Sequence, residues 1–326
     1  MIRQILSRVL PTVDRDLSRD YARLMEPDQR ETAALLALLR TKPRGTSWGS
    51  IAGEVSFVGS AIQVLDDASG EGLFRSPEID EALSVAAHDI ARWKQSGLTW
   101  VTVLDDEYPR RLRDIREAPP FLFYSGDLRA ADEGMSIVGS RAASEWGLRF
   151  AADAAHLLVR SGLSVLSGLA EGIDASAHRA ALEAGGRTVA FLGTGITRSY
   201  PAKNKDLQSE IGSRGLVLSQ FYPDMSPTKH TFPMRNATMS GYGLATIVVE
   251  AGEHSGARIQ ARVAGEHGRP VILTRRVVDG TTWGAEMAHW RNVHVVATSD
   301  ELEDAVGDLR GVHDRLESAL RALAAE

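Results

Sequence analysis

The chain has 326 residues, 43% hydrophobic and 25% charged, which suits about two folded domains and excludes a disordered or collagen-like protein. It contains no cysteine, so disulfides, cysteine-ligated metal centres and thiol catalysis are excluded. The formal net charge of −6 excludes binding of nucleic acid through bulk positive charge, so any such site has to be a local basic patch.

The first residues predict neither secretion nor a membrane anchor. Arg3 and Arg8 interrupt the apolar stretch of residues 1–10, and no small-residue cleavage site follows it. Apolar runs elsewhere are far shorter than the roughly 20 residues that cross a bilayer. We therefore expect a cytoplasmic protein with no membrane partner.

Residues 1–97 are predicted to form a small helical domain. Apolar residues recur at three- and four-residue spacing from Thr32 to Leu39 and from Ile79 to Trp93, and Ser76-Pro77 is a helix start signal. On the residues alone, a packing role for this domain is favoured.

Residues 98–300 are predicted to form an α/β domain. Leu98 to Leu104 indicates an entry strand, and Pro109, Pro119 and Pro120 punctuate the connector that follows. Apolar strand-like runs then alternate with helix-length segments, which predicts a doubly wound, mainly parallel sheet covered on both faces. Strands are expected at 135–138, 164–166, 188–192, 216–218, 245–249, 271–274 and 293–296, and helices at 144–161, 174–184, 204–212, 233–241 and 256–266.

Ligands of such sheets bind at the carboxyl ends of the strands, so the residues after each strand are the candidate site. Gly139-Ser140-Arg141 precedes a helix with Ser144 as N-cap, a combination that suits a phosphate group. Ser167-Gly168 opens a second compact loop, in which Asp174 is expected to cap the next helix. The chain has neither the GxGxxG dinucleotide fingerprint nor a Walker loop, which argues against NAD and P-loop NTP hydrolysis.

The third and fourth loops form a basic window. Gly193 and Gly195 lead to Lys203 and Lys205, and Arg235-Asn236 opens a later helix. From residue 187 to 235 there are seven basic and three acidic residues, net +4. Basic residues with interleaved aromatic rings suit single-strand nucleic acid, although a solvated charged face with core aromatics gives the same pattern. The aromatic residues are Tyr200, Phe221, Tyr222 and Phe232.

No catalytic residue, metal site or cofactor is predicted. The chain shows no metal-ligand motif and no catalytic triad with supporting spacing, and His178, His230 and His254 are isolated. These histidines are expected to cap or pack. Convergence of three carboxylates at the strand ends is left open by the sequence: Glu171, Glu250 and Glu253.

Taken in order, these loops resemble the DNA-processing protein A (DprA/Smf) family over roughly residues 98 to 275. The motifs that carry the resemblance are Tyr108-Pro109, Ala118-Pro119-Pro120, Gly126-Asp127-Leu128, Ile137-Val138-Gly139-Ser140-Arg141, Ser167-Gly168-Leu169-Ala170-Glu171-Gly172-Ile173-Asp174, Leu192-Gly193-Thr194-Gly195 with Tyr200-Pro201, Phe232-Pro233-Met234-Arg235-Asn236, and Val249-Glu250-Ala251.

The resemblance implies an extended Rossmann-like domain that binds single-stranded DNA and hands it to RecA in recombination during natural transformation, without catalysis. A homodimer is also expected. The predicted DNA- and phosphate-binding residues are Gly139, Ser140, Arg141, Ser167, Gly168, Gly193, Gly195, Lys203, Lys205, Arg235 and Asn236.

The chain departs from the family pattern, so a divergent member is expected. Ala237 stands where a second arginine is usual, and Thr274-Arg275-Arg276 replaces a Pro-Gly loop. Residues 301–326 are too few for the winged-helix domain that many members carry, and they predict one amphipathic helix that docks on its own domain or on a partner. Its apolar stripe is Leu302, Val306, Leu309, Val312, Leu316, Leu320 and Leu323.

Two other functions remain open on the sequence. One is a Rossmann-like nucleotide-binding sensor or nucleotide-processing enzyme, as in phage defence, with Glu171 or Glu250 at work. The other is a partner-binding scaffold with the terminal helix as its handle.

Overall fold

The computed structural model describes residues 26–68 and 76–324. Residues 1–10, on which the secretion prediction rests, lie outside these ranges. Within them, no helix combines the length and the apolar character that a membrane span requires. The chain begins with four helices: α1 (Pro27–Thr41), α2 (Trp48–Val58), α3 (Ala61–Ala68) and α4 (Pro77–Gln95).

Three of the four helices begin at polar caps, and an apolar core holds all four together. The Ser47 hydroxyl accepts the backbone N–H of Ser50, and the Ser76 hydroxyl accepts that of Ile79, as N-caps do. Glu31 of α1 accepts the backbone N–H of Ala61 at 2.6 Å and so caps α3 from outside. The run from Ala33 to Leu39 is buried on both sides, since α1 packs against α3 and α4. The predicted helical character is confirmed for the described residues of this segment, 26–68 and 76–95.

A nine-stranded sheet follows, in the order β1-β2-β6-β5-β4-β3-β7-β8-β9. Strands β3 to β9 pair in parallel, while β2 pairs antiparallel with both β1 and β6. The strand order reverses between β3 and β7, so this is the switch point of the sheet. The strands are β1 (Thr99–Thr102), β2 (Phe121–Gly126), β3 (Gly134–Val138), β4 (Ser164–Ser167), β5 (Thr188–Phe191), β6 (Leu216–Ser219), β7 (Ala245–Val248), β8 (Val271–Thr274) and β9 (Val293–Val296).

Helices cover both faces of the sheet, which explains why strands β3 to β8 are buried along their whole length. The predicted Rossmann-like, doubly wound class is confirmed, and the seven strands and five helices lie within a few residues of their expected bounds. The helices are α5 (Glu145–Arg160), α6 (Ile173–Glu183), α7 (Lys205–Arg214), α8 (Thr231–Tyr242), α9 (Gly256–Glu266), α10 (Arg275–Gly280), α11 (Thr282–Met287) and α12 (Ser299–Ala324).

Among the strands and α-helices of residues 98–300, three were not predicted. Strand β2 follows the Pro119–Pro120 pair, and its antiparallel pairing with β6 is a long-range contact that local periodicity does not show. Helices α10 and α11 have six residues each, which is too short for a 3.6-residue repeat to become visible.

The carboxyl-terminal helix docks along only part of its length. Leu302 and Val306 are buried against the helix layer that contains α5, and Leu309 packs beside them. The same stripe is exposed further along, where Leu316 is 58% and Leu323 is 69% exposed. The expectation that this helix docks on its own sheet domain is therefore met by its first half.

Aromatic rings join the helical segment to the sheet. The ring centroid of Trp93 on α4 lies 4.8 Å from that of Phe123 on β2, and Trp48 lies 5.4 Å from Phe121. Tyr222, after β6, lies 6.1 Å from both tryptophans. Such contacts bury large apolar areas and fix the helices on the outer strands.

Replacing Trp93 with alanine is expected to lower the free energy of unfolding by about 3–5 kcal/mol, because a large buried ring leaves a cavity between α4 and β2. Urea denaturation measures this change. Phe57 on α2 is the control, since it is 93% exposed and its alanine variant should remain within about 0.5 kcal/mol of the parent. Equal stabilities of the two variants would contradict this account of the interface.

Candidate nucleic-acid interface

The candidate site lies at the carboxyl edge of the sheet. Residues Gly139 to Arg141 follow β3, Ser167 and Gly168 end β4, and the Gly193 loop follows β5. Because these strands are parallel neighbours, their ends meet at one edge, and the structure brings the predicted loops together there. Helix α8, which carries Arg235 and Asn236, begins behind the loops after β4 and β5.

Arg235 is buried and ties two strand ends together. Its Nη1 donates to the carbonyl oxygen of Gly168 at 2.5 Å and to that of Phe191 at 2.9 Å. Its Nε donates to Oδ1 of the neighbouring Asn236 at 3.0 Å. Since both side chains are turned inward, the structure gives Arg235 and Asn236 a supporting position, and direct contact with DNA stays a prediction.

Asp174 is the counter-charge of Arg235. Its Oδ2 accepts the backbone N–H of Gly168 at 3.1 Å and that of Ala170 at 3.3 Å. Burial raises the pKa of the Asp174 carboxyl, an effect that Arg235 opposes. Burial likewise lowers the pKa of Arg235, and Asp174 opposes that shift. The expectation that Asp174 caps α6 is wrong, because Gly172 is the N-cap, without a side-chain cap hydrogen bond, and Asp174 lies in the first turn. Its carboxylate instead holds the loop before α6.

Gly168 and Gly193 are required because the side chains of Arg235 and Phe232 lie where a Cβ atom would be. A Cβ at Gly168 would lie 1.8 Å from Nη1 of Arg235, and one at Gly193 would lie 2.7 Å from the ring of Phe232. Any larger residue would push the arginine or the ring out of place. These two predicted glycines therefore shape the site through packing between loops.

Arg141 and two aromatic rings form the outer surface. The Arg141 Cζ lies 5.7 Å from the ring centroid of Phe232, and the ring centroid of Tyr200 lies 5.7 Å from that of Phe232. Tyr200 is 42% exposed. The described part of the chain offers the Arg141 guanidinium no hydrogen-bond partner. We call Arg141, Phe232 and Tyr200 the outer surface.

Lys203 lies after Tyr200 in the turn that leads into α7, and Lys205 is the first residue of that helix. The Nζ of Lys203 lies 2.5 Å from Oε2 of Glu171, and both side chains remain largely exposed. Asn204 between the lysines donates to the carbonyl oxygens of Leu169 and Ala170 at 3.0 and 3.2 Å. The lysines are thus held beside the loop after β4 and face solvent.

The other two aromatic residues of the basic window belong to the core. Phe221 is 1% exposed, and Tyr222 packs against the rings of Trp48 and Trp93. Of the four candidate stacking residues, Tyr200 and Phe232 alone lie at the outer surface. Local sequence did not separate the two pairs, since the packing of Tyr222 depends on rings more than 120 residues earlier in the chain.

A carboxylate fills the helix N-terminus at the switch point. Oε1 and Oε2 of Glu250 accept the backbone N–H of Ser144 at 3.1 and 3.3 Å, and the Ser144 hydroxyl donates to Oε2 at 2.6 Å. Ser144 itself caps α5 through the N–H of Gly147. A phosphate bound at this terminus would meet the charge of Glu250, so the anion-binding groups here are reduced to the side chains of Ser140 and Arg141.

The three candidate carboxylates do not share a function in the structure. Glu171 pairs with Lys203, Glu250 caps α5, and Glu253 accepts the N–H of Thr282 at 2.9 Å. Across residues 26–68 and 76–324, no group of three or more His, Cys, Asp or Glu residues could hold a metal ion.

His178 is a packing residue, as predicted. It is fully buried, and its Nδ1 lies 2.6 Å from the hydroxyl of Thr188. Burial, assisted by the positive charges of Arg235 and Arg179, lowers the pKa of His178 to about 3. The ring is therefore neutral at physiological pH.

The fold and the residues at the carboxyl edge of the sheet together define a Rossmann-like protein. Exposed cations and aromatic rings lie around its switch point, where Glu250 occupies the N-terminus of α5. The model of the family described as DNA recombination-mediator protein A matches residues 99–306. The chain belongs to this family.

Known proteins with similar sequences support the same family assignment. The chain is 42% identical over 185 residues to the DNA processing protein DprA of Streptococcus pneumoniae, covering 56% of this chain and 65% of that protein. It is 39% identical over 184 residues to the protein Smf of Synechocystis, covering 55% and 46%. The match thus spans about half to two thirds of these relatives' length.

Two solved structures share the fold. The X-ray structure of DprA from Streptococcus pneumoniae superposes with a TM-score of 0.63 at 30% identity, covering 90% of this chain and 98% of that one. DNA processing protein A from Helicobacter pylori, described for its single-stranded DNA binding mode, gives a TM-score of 0.58 at 21% identity, covering 65% and 96%.

Arg235→Ala is expected to cost about 3–5 kcal/mol of unfolding free energy, because it leaves Asp174 as an uncompensated buried charge. Arg141→Ala should change stability by less than about 0.5 kcal/mol, since that guanidinium is exposed. Guanidinium denaturation of both variants measures the difference. Similar stabilities for the two would contradict the supporting role of Arg235.

His178 is expected to remain neutral from pH 8 to pH 5 in the folded protein, and its NMR signals should not shift across that range. The urea-unfolded chain is the control, because its histidines titrate near pH 6.5. As the unfolded chain takes up this proton and the folded chain does not, the contribution of His178 to stability is complete above about pH 6.5 and is lost as the pH falls toward 3. A titrating His178 signal above pH 5 would contradict this assignment.

Proposed function

We propose that this protein binds single-stranded DNA along the carboxyl edge of its sheet and acts in DNA processing. The observation that carries the proposal is the outer surface itself. Arg141 lies over Phe232, beside the exposed ring of Tyr200, and its N–H groups have no hydrogen-bond partner among the described residues. Cations that meet phosphates next to rings that stack bases are what single strands require.

The relatives support the same proposal. Proteins named DNA processing protein DprA match more than half of the chain, and a protein of the same name with this fold is described as binding single-stranded DNA. Delivery of the bound strand to RecA as a homodimer, without a catalytic step, is the corresponding role that we propose.

The binding residues that we propose fall into two groups. Arg141, Lys203 and Lys205 contact phosphates, and Ser140 adds a hydroxyl beside them. Ser167, Gly168, Gly193, Gly195, Arg235 and Asn236 shape the loops that present these groups.

The arrangement disfavours a mononucleotide at the switch point. Nucleotide-binding sheets of this class place a phosphate at the helix N-terminus there, and in this chain the carboxylate of Glu250 occupies that terminus. A polymer that runs over the outer surface does not need this position.

Arg141→Ala is expected to weaken binding to single-stranded oligonucleotides on the order of tenfold, with no base preference, because a phosphate contact carries no base information. The slope of log affinity against log salt should fall in magnitude by about 0.7. Fluorescence anisotropy at several salt concentrations measures both quantities. Duplex DNA and mononucleotides serve as competitors.

Arg160→Ala is the matched control. Arg160 is exposed and is the last residue of α5, at the amino edge of the sheet. The substitution therefore removes one positive charge, as Arg141→Ala does, but at the opposite edge. Its affinity should equal that of the parent protein. Absence of single-strand binding, displacement by a mononucleotide, or equal affinities of the two variants would each overturn the proposed site.

A further inference from the structure

A second arginine at the carboxyl edge, like Arg141, lies over an aromatic ring. Arg276 follows β8 in α10, and its Cζ lies 4.2 Å from the ring centroid of Trp146 in the first turn of α5. Trp146 in turn stacks on Phe150, at 5.0 Å and an interplanar angle of 28°. Arg276 is exposed, and the described residues give its guanidinium no hydrogen bond. The ring beneath it is thus held firmly, while the cation faces solvent.

The position of Arg276 continues the line of the outer surface. Strand β7 alone separates β3, which ends before Arg141, from β8, which ends before Arg276. With neighbouring strands about 4.8 Å apart, the two strand ends lie roughly 10 Å from each other. The end of β5, whose loop leads to Lys203, lies four strand spacings from the end of β8. This distance is roughly 19 Å.

The contact with Trp146 favours binding of an anion. A guanidinium that lies over an indole keeps its N–H donors in its own plane, where a phosphate reaches them. The ring also limits the rotamers of the side chain, so less freedom is lost when a ligand binds. Two carboxylates follow β7 between the two arginines, and both have partners: Glu250 accepts from the Ser144 hydroxyl, and Glu253 accepts the N–H of Thr282.

We propose that Arg276, held on Trp146, is a second phosphate contact, which extends the path of a single strand from Arg141 across the end of β7 to the end of β8. This inference rests on the proposed function. The ligand is the sugar-phosphate backbone of a single-stranded nucleic acid that is long enough to reach both arginines.

The test is the dependence of affinity on strand length. Oligo-dT strands of about 4 to about 16 nucleotides, the range of site sizes of single-strand binding folds, are titrated with the parent protein, Arg276→Ala and Arg141→Ala. Arg276→Ala should match the parent on the shortest strands and lose on the order of tenfold in affinity on the longest. The salt slope should fall in magnitude by about 0.7 on the long strands only.

Two further variants complete the test. Arg291→Ala is the matched control, because Arg291 is exposed and precedes β9 at the amino edge, and its affinity should be unchanged at all lengths. Arg276→Lys retains the charge and should recover the salt slope. Thermal unfolding of each variant confirms that the fold is intact.

The outcomes distinguish failure of the Arg276 contact from failure of the proposed single-stranded DNA binding. If Arg141→Ala weakens binding while Arg276→Ala and Arg291→Ala behave alike at every length, the extension is overturned and the proposed function stands. An equal loss for Arg276→Ala on short and long strands also overturns it, since the contact would then lie inside the minimal site. Failure of the parent protein to bind any strand overturns the proposed function itself.

Discussion

The buried interaction between Arg235 and the ends of β4 and β5 determines the geometry of the whole candidate site. One guanidinium joins the carbonyl oxygens of Gly168 and Phe191, so two strand ends and α8 cannot move independently. Phe232 lies one helical turn before Arg235 in the same helix, and its ring rests against Gly193. The platform under Arg141 is therefore fixed from inside, where a ligand does not need to reach. Rigid support of this kind lets a few exposed side chains bind without first being ordered.

Internal carboxylates determine which anions the molecule can accept. Glu250 fills the N-terminus of α5, and Glu31 fills that of α3. Both helix ends already have the negative charge that their dipoles favour. Further anions are then attracted mainly by arginine and lysine side chains, which lie on the surface and are spread along an edge. Such a distribution suits an extended chain of phosphates better than a compact nucleotide.

Much of the fold could be predicted from the sequence, because buried parallel strands are continuous apolar runs and the helices between them are long enough to show their period. The site was predictable at the level of loops, since the carboxyl ends of parallel strands must share an edge. The inward turn of Arg235 was not, because a buried arginine and an exposed one look alike in sequence. Phe221 and Tyr222 were ambiguous because their packing is long-range: the ring of Tyr222, for example, contacts those of Trp48 and Trp93. The contact between Trp146 and Arg276 joins residues 130 positions apart, which no local pattern reveals.

The acidic character of the chain is compatible with binding of a polyanion, because screening makes electrostatics local. At physiological ionic strength the Debye length is about 8 Å, so charges on the far side of the sheet contribute little at the carboxyl edge. The net charge of −6 is an average over the whole chain, whereas a bound strand interacts with the residues it passes. Along this edge the acidic side chains closest to the path are engaged: Glu171 by Lys203 and Glu250 by Ser144. The arginines over Phe232 and Trp146 have no such partner among the described residues. At this edge a strand would therefore meet two arginines that no described residue neutralises, although the molecule as a whole is acidic.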